Sequence, residues 1–235
     1  MTEIFTSWKS WRDAEQPLAA ALPGETVAVL EEAVAFAELR HGDQLRPTGV
    51  PYLEHLLEAL EVAVRGAGVR DPDVLVAIVL HDVVEDTPCT RAEIAERFGE
   101  HVAELVAWVT KPDVAASQDK SDVAAPQDKP DVTAGQDEPD VTAGQDEAAA
   151  RAAAKAAVKA AYLRGLAEAP PQAVLVKLAD RVSNVQELHR VPVDFQRRYH
   201  RETVEHIMPL AATSPWFARW FADWRDDWRA FESPE

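Results

Sequence analysis

Hydrophobic positions recur along much of the chain at the spacing of an amphipathic helix. The predicted helices include residues 26–41, 52–66, 71–87, 94–111, 148–169, 171–189 and 216–231. The first half of segment 71–87 is apolar nearly all round, which indicates a helix buried on several sides. A sustained alternation of apolar and polar positions with hairpin turns, the pattern of strands, does not occur. The pattern therefore predicts an all-α bundle of about eight helices.

Residues 113–147 do not follow this pattern. They contain a nine-residue unit four times, as DVAASQDKS, DVAAPQDKP, DVTAGQDEP and DVTAGQDEA. Each unit offers one valine and no aromatic residue, too little apolar surface to offset the entropy of ordering the chain. Its Asp spacing also lacks the Gly-rich pattern of calcium-binding nonapeptide repeats. We expect a disordered acidic insertion at 113–147 in a single domain formed by residues 1–112 and 148–235.

The last predicted helix carries tryptophan at positions 216, 220, 224 and 228. A four-residue step places these side chains on one slowly drifting helix face. Two interpretations are open. The tryptophans are anchors that pack the helix against the core, or they form the face of a homodimer.

Charge and cysteine content restrict the classes of partner and compartment. A net charge of −17 argues against non-specific binding of nucleic acid or anionic membranes. The single cysteine, Cys89, fits a reducing compartment. The sequence has no apolar run near the roughly 20 residues that span a bilayer, and no signal-peptide pattern. We expect a soluble, cytoplasmic protein whose anionic substrate would need a local positive site, such as a metal ion.

Several chemically active side chains end the apolar segment. The sequence LHDVVEDT, residues 80–87, contains His81, Asp82, Glu85 and Asp86. Because buried carboxylates need a partner or a metal ion, packing alone does not explain this cluster. We expect His81 and Asp82 to bind a metal ion, and Glu85 to orient a water molecule or accept its proton.

Two other segments offer further ligands. His55 lies early in the preceding predicted helix, and Asp180 follows an apolar run in VLVKLADRVSN. Alone, His55 would more often be a partly exposed helix histidine and Asp180 a salt-bridge partner. With His81 and Asp82 they supply two imidazoles and two carboxylates, a set that suits Mn, Fe or Zn and leaves positions for water and substrate.

Polar residues near these candidates could hold a substrate. Asn184 lies one helical turn after Asp180 and could bind a ribose hydroxyl or a phosphate oxygen. Lys177 lies one turn before Asp180. It either balances the negative charge of a substrate phosphate or lies in solvent. Arg46, in the loop before the second predicted helix, is a further phosphate candidate. We interpret His41 as structural.

The chain resembles the HD-domain superfamily and, within it, the hydrolase domain of the RelA/SpoT family. The segments that carry the resemblance are HGDQLRPTGVPYLEH, LVAIVLHDVVEDTPCT, EIAERFGEHVAELVAWVTK and LVKLADRVSN, in the family's order. The resemblance implies an HD-domain fold and removal of pyrophosphate from the 3′ position of ppGpp or pppGpp. With 235 residues the chain lacks room for the family's synthetase and regulatory domains, so we expect a stand-alone small alarmone hydrolase.

The resemblance also implies a role for each candidate residue. It implies metal ligands at His55, His81, Asp82 and Asp180, with Mn²⁺ the usual ion, catalytic carboxylates at Glu85 and Asp86, and substrate contacts at Arg46 and Asn184.

Three positions depart from the family pattern. Pro47 follows Arg46 where the family usually has lysine, so one loop cation is lost. Leu56 follows His55 where proline is frequent, which keeps the ligand. Ser183 stands where the family's LADRLHN has histidine. The lost cation could weaken binding of guanosine pyrophosphates or reflect another phosphorylated nucleotide.

Three functions are therefore open. The first is hydrolysis of (p)ppGpp. The second is an HD phosphohydrolase for another nucleotide, such as NADPH, a dinucleotide or a nucleoside monophosphate. The third is a non-catalytic module that binds a nucleotide, or a partner through its Trp-rich tail. The full ligand set and Glu85 favour an enzyme.

Overall fold

The computed structural model describes residues 2–46, 48–112 and 141–232, with side chains described for 153–231 in the last range. It contains two compact units, Met1–Thr110 with Leu163–Glu235, and Lys111–Tyr162. All of the candidate site residues belong to the first unit. Pro47 and most of the predicted disordered insertion, residues 113–140, lie outside the described residues.

Helices account for nearly all of the regular structure. Among the described residues, the only pairing of β type is an isolated bridge between Leu45 and Pro51. In the same residues, no helix has the length and apolar content that crossing a bilayer requires. The all-α prediction is confirmed. The α-helices are α1 (Trp11–Ala21), α2 (Gly24–His41), α3 (Tyr52–Glu61), α4 (Pro72–Leu80), α5 (Val83–Asp86), α6 (Arg91–Phe98), α7 (Glu100–Val109), α8 (Val141–Gly165), α9 (Pro171–Val185), α10 (Val193–Glu202) and α11 (Pro215–Asp227).

The structure divides two segments that the sequence predicted as single helices. Gly99 separates α6 from α7 with φ 95°, a left-handed conformation that glycine adopts without steric penalty. His81 and Asp82 separate α4 from α5, so these two candidate ligands lie at a junction between helices. Helix α8 also begins earlier than predicted, at Val141 rather than at Ala148. Helix α1 was not predicted.

Helix α4 is the centre of the larger unit. Every residue from Val74 to Leu80 is buried, and α4 packs against α2, α3, α7 and α9. Burial of apolar side chains on all sides of one helix is a main source of stability for a bundle. Because His81 follows Leu80 directly, the same packing fixes the position of the candidate site.

The first residues of the chain pack against α9 and α11. Gln186 accepts a hydrogen bond from the Phe5 amide at 2.7 Å and donates one to the Phe5 carbonyl at 2.9 Å. The Trp220 indole donates to the Glu3 carbonyl at 2.8 Å. Trp220 and Trp224 are both buried within the chain, which confirms that they are core anchors. The formation of a homodimer through the tryptophan face of α11 stays a prediction.

Removal of a buried leucine from α4 should destabilise the protein strongly. Leu75 is 0% exposed, whereas Leu39 on α2 is 78% exposed. We expect Leu75→Ala to lower the free energy of unfolding by about 2 to 5 kcal/mol, because it leaves a cavity. Leu39→Ala should change it by no more than about 0.5 kcal/mol. Urea unfolding followed by tryptophan fluorescence measures both, and equal effects would contradict the central place of α4.

Candidate metal centre

Three helical segments bring two histidines and two aspartates together. His55 comes from α3, His81 and Asp82 from the junction of α4 and α5, and Asp180 from α9. Asp82 Oδ2 lies 3.5 Å from His55 Nε2 and 3.1 Å from His81 Nε2. Asp180 Oδ1 lies 3.4 Å and 3.5 Å from the same two nitrogens. The residues predicted as metal ligands thus converge around one point.

The spacing and the donor types fit a divalent ion. Neighbouring ligand atoms at right angles around an ion, with bonds of about 2.1 Å, lie about 3 Å apart. Donor atoms of His55, His81 and Asp82 all lie within 4.8 Å of one another and could hold a metal ion. Asp180 joins this group through its contacts with the two imidazoles. Their role as ligands stays a prediction.

The orientation of His81 leaves its Nε2 atom available to bind a metal ion. Its Nδ1 lies 2.7 Å from the carbonyl oxygen of Ile78, which can only accept a hydrogen bond. Nδ1 therefore carries a proton, and in the neutral ring Nε2 presents its lone pair to the cluster. A backbone partner of this kind fixes the tautomer of metal-binding histidines.

His55 is oriented by side chains instead. Its Nδ1 lies 2.8 Å from Ser183 Oγ on α9, and Ser183 Oγ donates to Glu58 Oε2 at 2.7 Å. Neither Ser183 nor Glu58 was predicted to belong to the site. The available signal was spacing, since Glu58 lies one helical turn after His55 and Ser183 one turn after Asp180.

Asp180 is held from both sides along its own helix. Lys177 Nζ donates to Asp180 Oδ2 at 2.7 Å, and Asn184 donates to Asp180 Oδ1. Lys177 is 5% exposed, so the interpretation as a solvated lysine is wrong. Its ammonium group balances the charge of the Asp180 carboxylate, and its alternative role toward phosphate stays a prediction.

The electrostatics of this cluster favour a bound positive charge. Burial alone would raise the pKa of Asp180, but the Lys177 ammonium and the two imidazoles hold it well below its usual range. Burial alone would lower the pKa of His81, but the charge of Asp82 and its hydrogen bonds with Asp180 and Asp82 raise it to about 10. A field that draws a proton onto His81 also draws a cation.

Tyr52 connects the ligand cluster to the Asp86 carboxylate of α5. Its hydroxyl lies 2.5 Å from Asp82 Oδ2 and 2.7 Å from Asp86 Oδ2. Burial and the charges of Asp82 and Asp86 raise the pKa of Tyr52, so the hydroxyl keeps its proton. The sequence did not single out Tyr52, although its place one turn before His55 puts it on the same helix face.

Of the two carboxylates predicted to be catalytic, Asp86 bonds to this tyrosine. Asp86 has a raised pKa, chiefly because of partial burial and then because of the charges of Asp82 and Glu85. Glu85 lies on α5 near enough to act on Asp86 electrostatically. His41 stacks on Tyr52 with ring centroids 4.5 Å apart, a structural contact in line with its interpretation.

The two predicted substrate contacts lie next to each other at the edge of the cluster. Arg46 donates to Asn184 Oδ1 at 2.9 Å and to Glu58 Oε2 at 3.4 Å. The Arg46 side chain is 16% exposed. A guanidinium in this position lies within reach of both the ligand-bearing helix α9 and solvent.

The part of the chain that forms this fold and this cluster matches a known protein family. A model described as HD domain matches residues 33–215, so the chain belongs to the HD domain family. A family of this kind implies a divalent metal ion, in agreement with the donor set.

Relatives of known name are larger proteins. The guanosine-3′,5′-bis(diphosphate) 3′-pyrophosphohydrolase of Aquifex aeolicus (strain VF5) is 33% identical over 183 residues, 77% of this chain and 21% of that protein. The bifunctional (p)ppGpp synthase/hydrolase SpoT of Escherichia coli (strain K12) is 31% identical over 194 residues, 81% of this chain and 22% of that protein. The probable GTP pyrophosphokinase of Mycobacterium leprae (strain TN) is 30% identical over 192 residues, 80% of this chain and 19% of that protein. The chain therefore spans about a fifth of the length of these relatives.

A solved structure has the same fold. It is described as a metazoan ortholog of SpoT that hydrolyzes ppGpp and plays a role in starvation responses. The match has a TM-score of 0.61 at 21% identity and covers 87% of this chain and 96% of that one. The predicted HD-domain fold is confirmed.

Loss of the buried ammonium group should destabilise the metal-free protein. We expect Lys177→Met to lower the free energy of unfolding by about 3 to 5 kcal/mol, because the Asp180 carboxylate loses its buried partner. Lys9→Met removes a lysine that is 64% exposed and paired with Glu54, and should cost less than about 1 kcal/mol. Denaturant unfolding in EDTA compares the two variants. A Lys177→Met protein as stable as the wild type would contradict the balancing role of Lys177.

Proposed function

We propose that this protein is a divalent-metal-dependent phosphohydrolase that removes the 3′-pyrophosphate from (p)ppGpp, giving GDP or GTP and pyrophosphate. The observation that carries the proposal is the convergence of two imidazole Nε2 atoms and two carboxylate oxygens, at 3.1 to 3.5 Å. The names of the relatives support the substrate, because two of them are described as (p)ppGpp hydrolases.

The metal ion would be held by His55, His81, Asp82 and Asp180. Two imidazole nitrogens and two carboxylate oxygens suit Mn²⁺, with Fe or Zn as further possibilities. When bound, such an ion polarises a phosphoryl oxygen and makes an attacking water molecule more acidic. The buried surroundings of the cluster exclude bulk water and strengthen these electrostatic interactions.

Two carboxylates would handle protons beside this site. Hydrolysis forms a bond between water oxygen and the phosphorus atom next to the 3′ oxygen, and breaks the bond from that phosphorus to the 3′ oxygen. One proton must leave the water molecule, and one must reach the departing 3′ oxygen. We assign the first transfer to Glu85 and the second to Asp86, because the raised pKa of Asp86 favours its protonated form.

Arg46 and Asn184 would bind the substrate. A guanidinium group pairs with phosphate through two parallel hydrogen bonds, and an amide can bind a phosphate oxygen or a ribose hydroxyl. Both groups already bond to each other, so substrate would exchange one of these contacts for its own. A net charge of −17 makes such local positive groups necessary for an anionic substrate.

A second candidate function rests on Pro47. The RelA/SpoT family, which the chain resembles, usually has lysine at this position. A site with one fewer loop cation fits a nucleotide with less phosphate charge, such as NADPH or a nucleoside monophosphate. The metal centre and the carboxylates would serve either substrate.

Turnover of ppGpp tests the reaction and the catalytic carboxylate together. We expect the purified protein with Mn²⁺ to release GDP and pyrophosphate, measured by ion-exchange chromatography. Glu85→Ala should lower kcat by about 10²- to 10⁴-fold, because it removes a general base. Asp82→Ala should abolish turnover, whereas the controls Glu96→Ala and Asp223→Ala, both exposed, should act like the wild type.

The outcomes separate the candidate functions. Hydrolysis of NADPH or of a nucleoside monophosphate, without turnover of ppGpp, would replace the substrate and keep the metal centre. Absence of turnover with every one of these nucleotides would contradict the proposal that the protein is an enzyme.

Metal binding tests the ligand set without any substrate. We expect about one Mn²⁺ per chain by elemental analysis after gel filtration. His55→Ala and Asp180→Ala should weaken Mn²⁺ affinity by at least about 100-fold, because each removes a donor atom. His189→Ala is the matched control, since His189 is exposed and lies outside the cluster. Unchanged binding in the first two variants would exclude those residues as ligands.

A further inference from the structure

We propose that Ser183 and Glu58 position His55 for metal binding, through a chain of hydrogen bonds that begins at Arg46. The inference rests on the proposed metal centre and deepens it. Ser183 and Glu58 are positioning residues here, because neither would touch the ion or the substrate.

The direction of the hydrogen bonds follows from the number of protons. Ser183 has one hydroxyl proton, and the Glu58 carboxylate, 2.7 Å away, can only accept it. The Ser183 oxygen therefore accepts a hydrogen bond from His55 Nδ1, at 2.8 Å. With its proton held on Nδ1, the neutral imidazole presents the Nε2 lone pair toward His81 and the two aspartates. Reversal of the Ser183 bond would put the proton on Nε2 and block that nitrogen as a ligand.

The charge of Glu58 is held in place by its own partners. Glu58 is 7% exposed, so it depends on neighbours rather than on water. Arg46 Nη1 lies 3.4 Å from Glu58 Oε2, and Gln186 Nε2 lies 3.3 Å from the same oxygen. Burial raises the pKa of Glu58, and the contacts with Ser183 and Arg46 oppose that rise. In its ionised form the carboxylate can only accept, which fixes the direction of the Ser183 bond.

Arg46 therefore joins two parts of the site. Its Nη1 faces Glu58, and its Nη2 donates to Asn184 at 2.9 Å. The group proposed to bind substrate phosphate is thus the same group that stabilises the partner of Ser183. Rearrangement of Arg46 on binding an anion would therefore affect His55 through three hydrogen bonds, from Arg46 to Glu58, from Glu58 to Ser183 and from Ser183 to His55.

Variants at Ser183 separate positioning from simple packing. Ser183→Ala and Ser183→Val remove the hydroxyl, whereas Ser183→Thr keeps it and has nearly the same shape as valine. Zn²⁺ serves as the probe, and its affinity is measured by competition with a chromophoric chelator on protein whose helicity is verified by circular dichroism. We expect affinity to fall about 10- to 100-fold for alanine and valine, and to stay within about threefold for threonine.

A buried carboxylate on the same helix provides the control for destabilisation. Glu61 is 0% exposed and accepts hydrogen bonds from the Ser7 and Trp8 amides, not from the site. Glu61→Gln should leave Zn²⁺ affinity unchanged even if it lowers the melting temperature. Glu58→Gln should weaken affinity, because a neutral amide no longer enforces the direction of the Ser183 bond.

Nitrogen NMR gives a readout that packing alone would not change. In the Zn²⁺-loaded protein, we expect a slowly exchanging proton on His55 Nδ1 in the wild type and in Ser183→Thr. The same signal should be lost to solvent exchange in Ser183→Ala and Ser183→Val.

Wild-type affinity and a retained Nδ1 signal in Ser183→Ala would overturn the inference and leave the proposed hydrolase untouched. Dependence of Zn²⁺ affinity on the Ser183 hydroxyl, in a protein that does not hydrolyse ppGpp, would support the inference while the proposed function fails. Failure of the wild type to bind Zn²⁺ would overturn both the positioning role and the metal centre.

Discussion

Two aspartate carboxylates, Asp82 and Asp180, lie within 3.5 Å of the same imidazole nitrogen in the interior of an apolar bundle. Taking such charges out of water costs several kcal/mol per ion unless opposite charges and hydrogen bonds offset the loss. The surroundings of the pair meet this demand with the Lys177 ammonium, the Tyr52 hydroxyl and the Asn184 amide. A divalent ion bound between the two imidazole Nε2 atoms and the two carboxylates would neutralise the remaining negative charge.

The need to bring these charges together explains several features of the fold. Helix α4 is buried along its length, so a continuation without a break would carry Asp82 and the residues after it along the same axis. The interruption after Leu80 instead starts a separate short helix, with Asp86 beside Tyr52 and the solvent-facing side of the site. On α9, a spacing of three and four residues is enough to give Asp180 a cation on one side and an amide on the other.

Much of this arrangement could be predicted from local sequence. Helical periodicity predicted the bundle, and the run of His81, Asp82, Glu85 and Asp86 at the end of an apolar segment indicated where the candidate site lies. The contacts of Asp180 with its neighbours on α9 also follow from helical spacing.

The rest depends on contacts that no local pattern encodes. The bond between His55 and Ser183 joins residues 128 positions apart. Helical spacing puts Ser183 one turn after Asp180, but it does not identify His55 as the partner of Ser183. The break at Gly99 is visible only from its positive φ. In the sequence, one glycine inside an amphipathic pattern is equally compatible with an unbroken helix. Lys177 looked like a surface lysine because its burial is set by how α9 packs against α3, α4 and α7.

The order of the proposed ligands along the chain sets the time at which the proposed metal centre could form during synthesis. His55, His81 and Asp82 leave the ribosome well before Asp180, because Asp180 lies on α9, beyond the repeat tract. Translation of the intervening stretch, about a hundred residues, takes roughly 5 to 20 s at typical rates. Until then the nascent chain would carry only three of the four proposed donors, and Ser183, the proposed partner of His55, would be absent. Binding of an ion at the proposed centre would therefore be a late step of synthesis, when α9 brings Asp180 to the other three proposed ligands and packs against α3, α4 and α7.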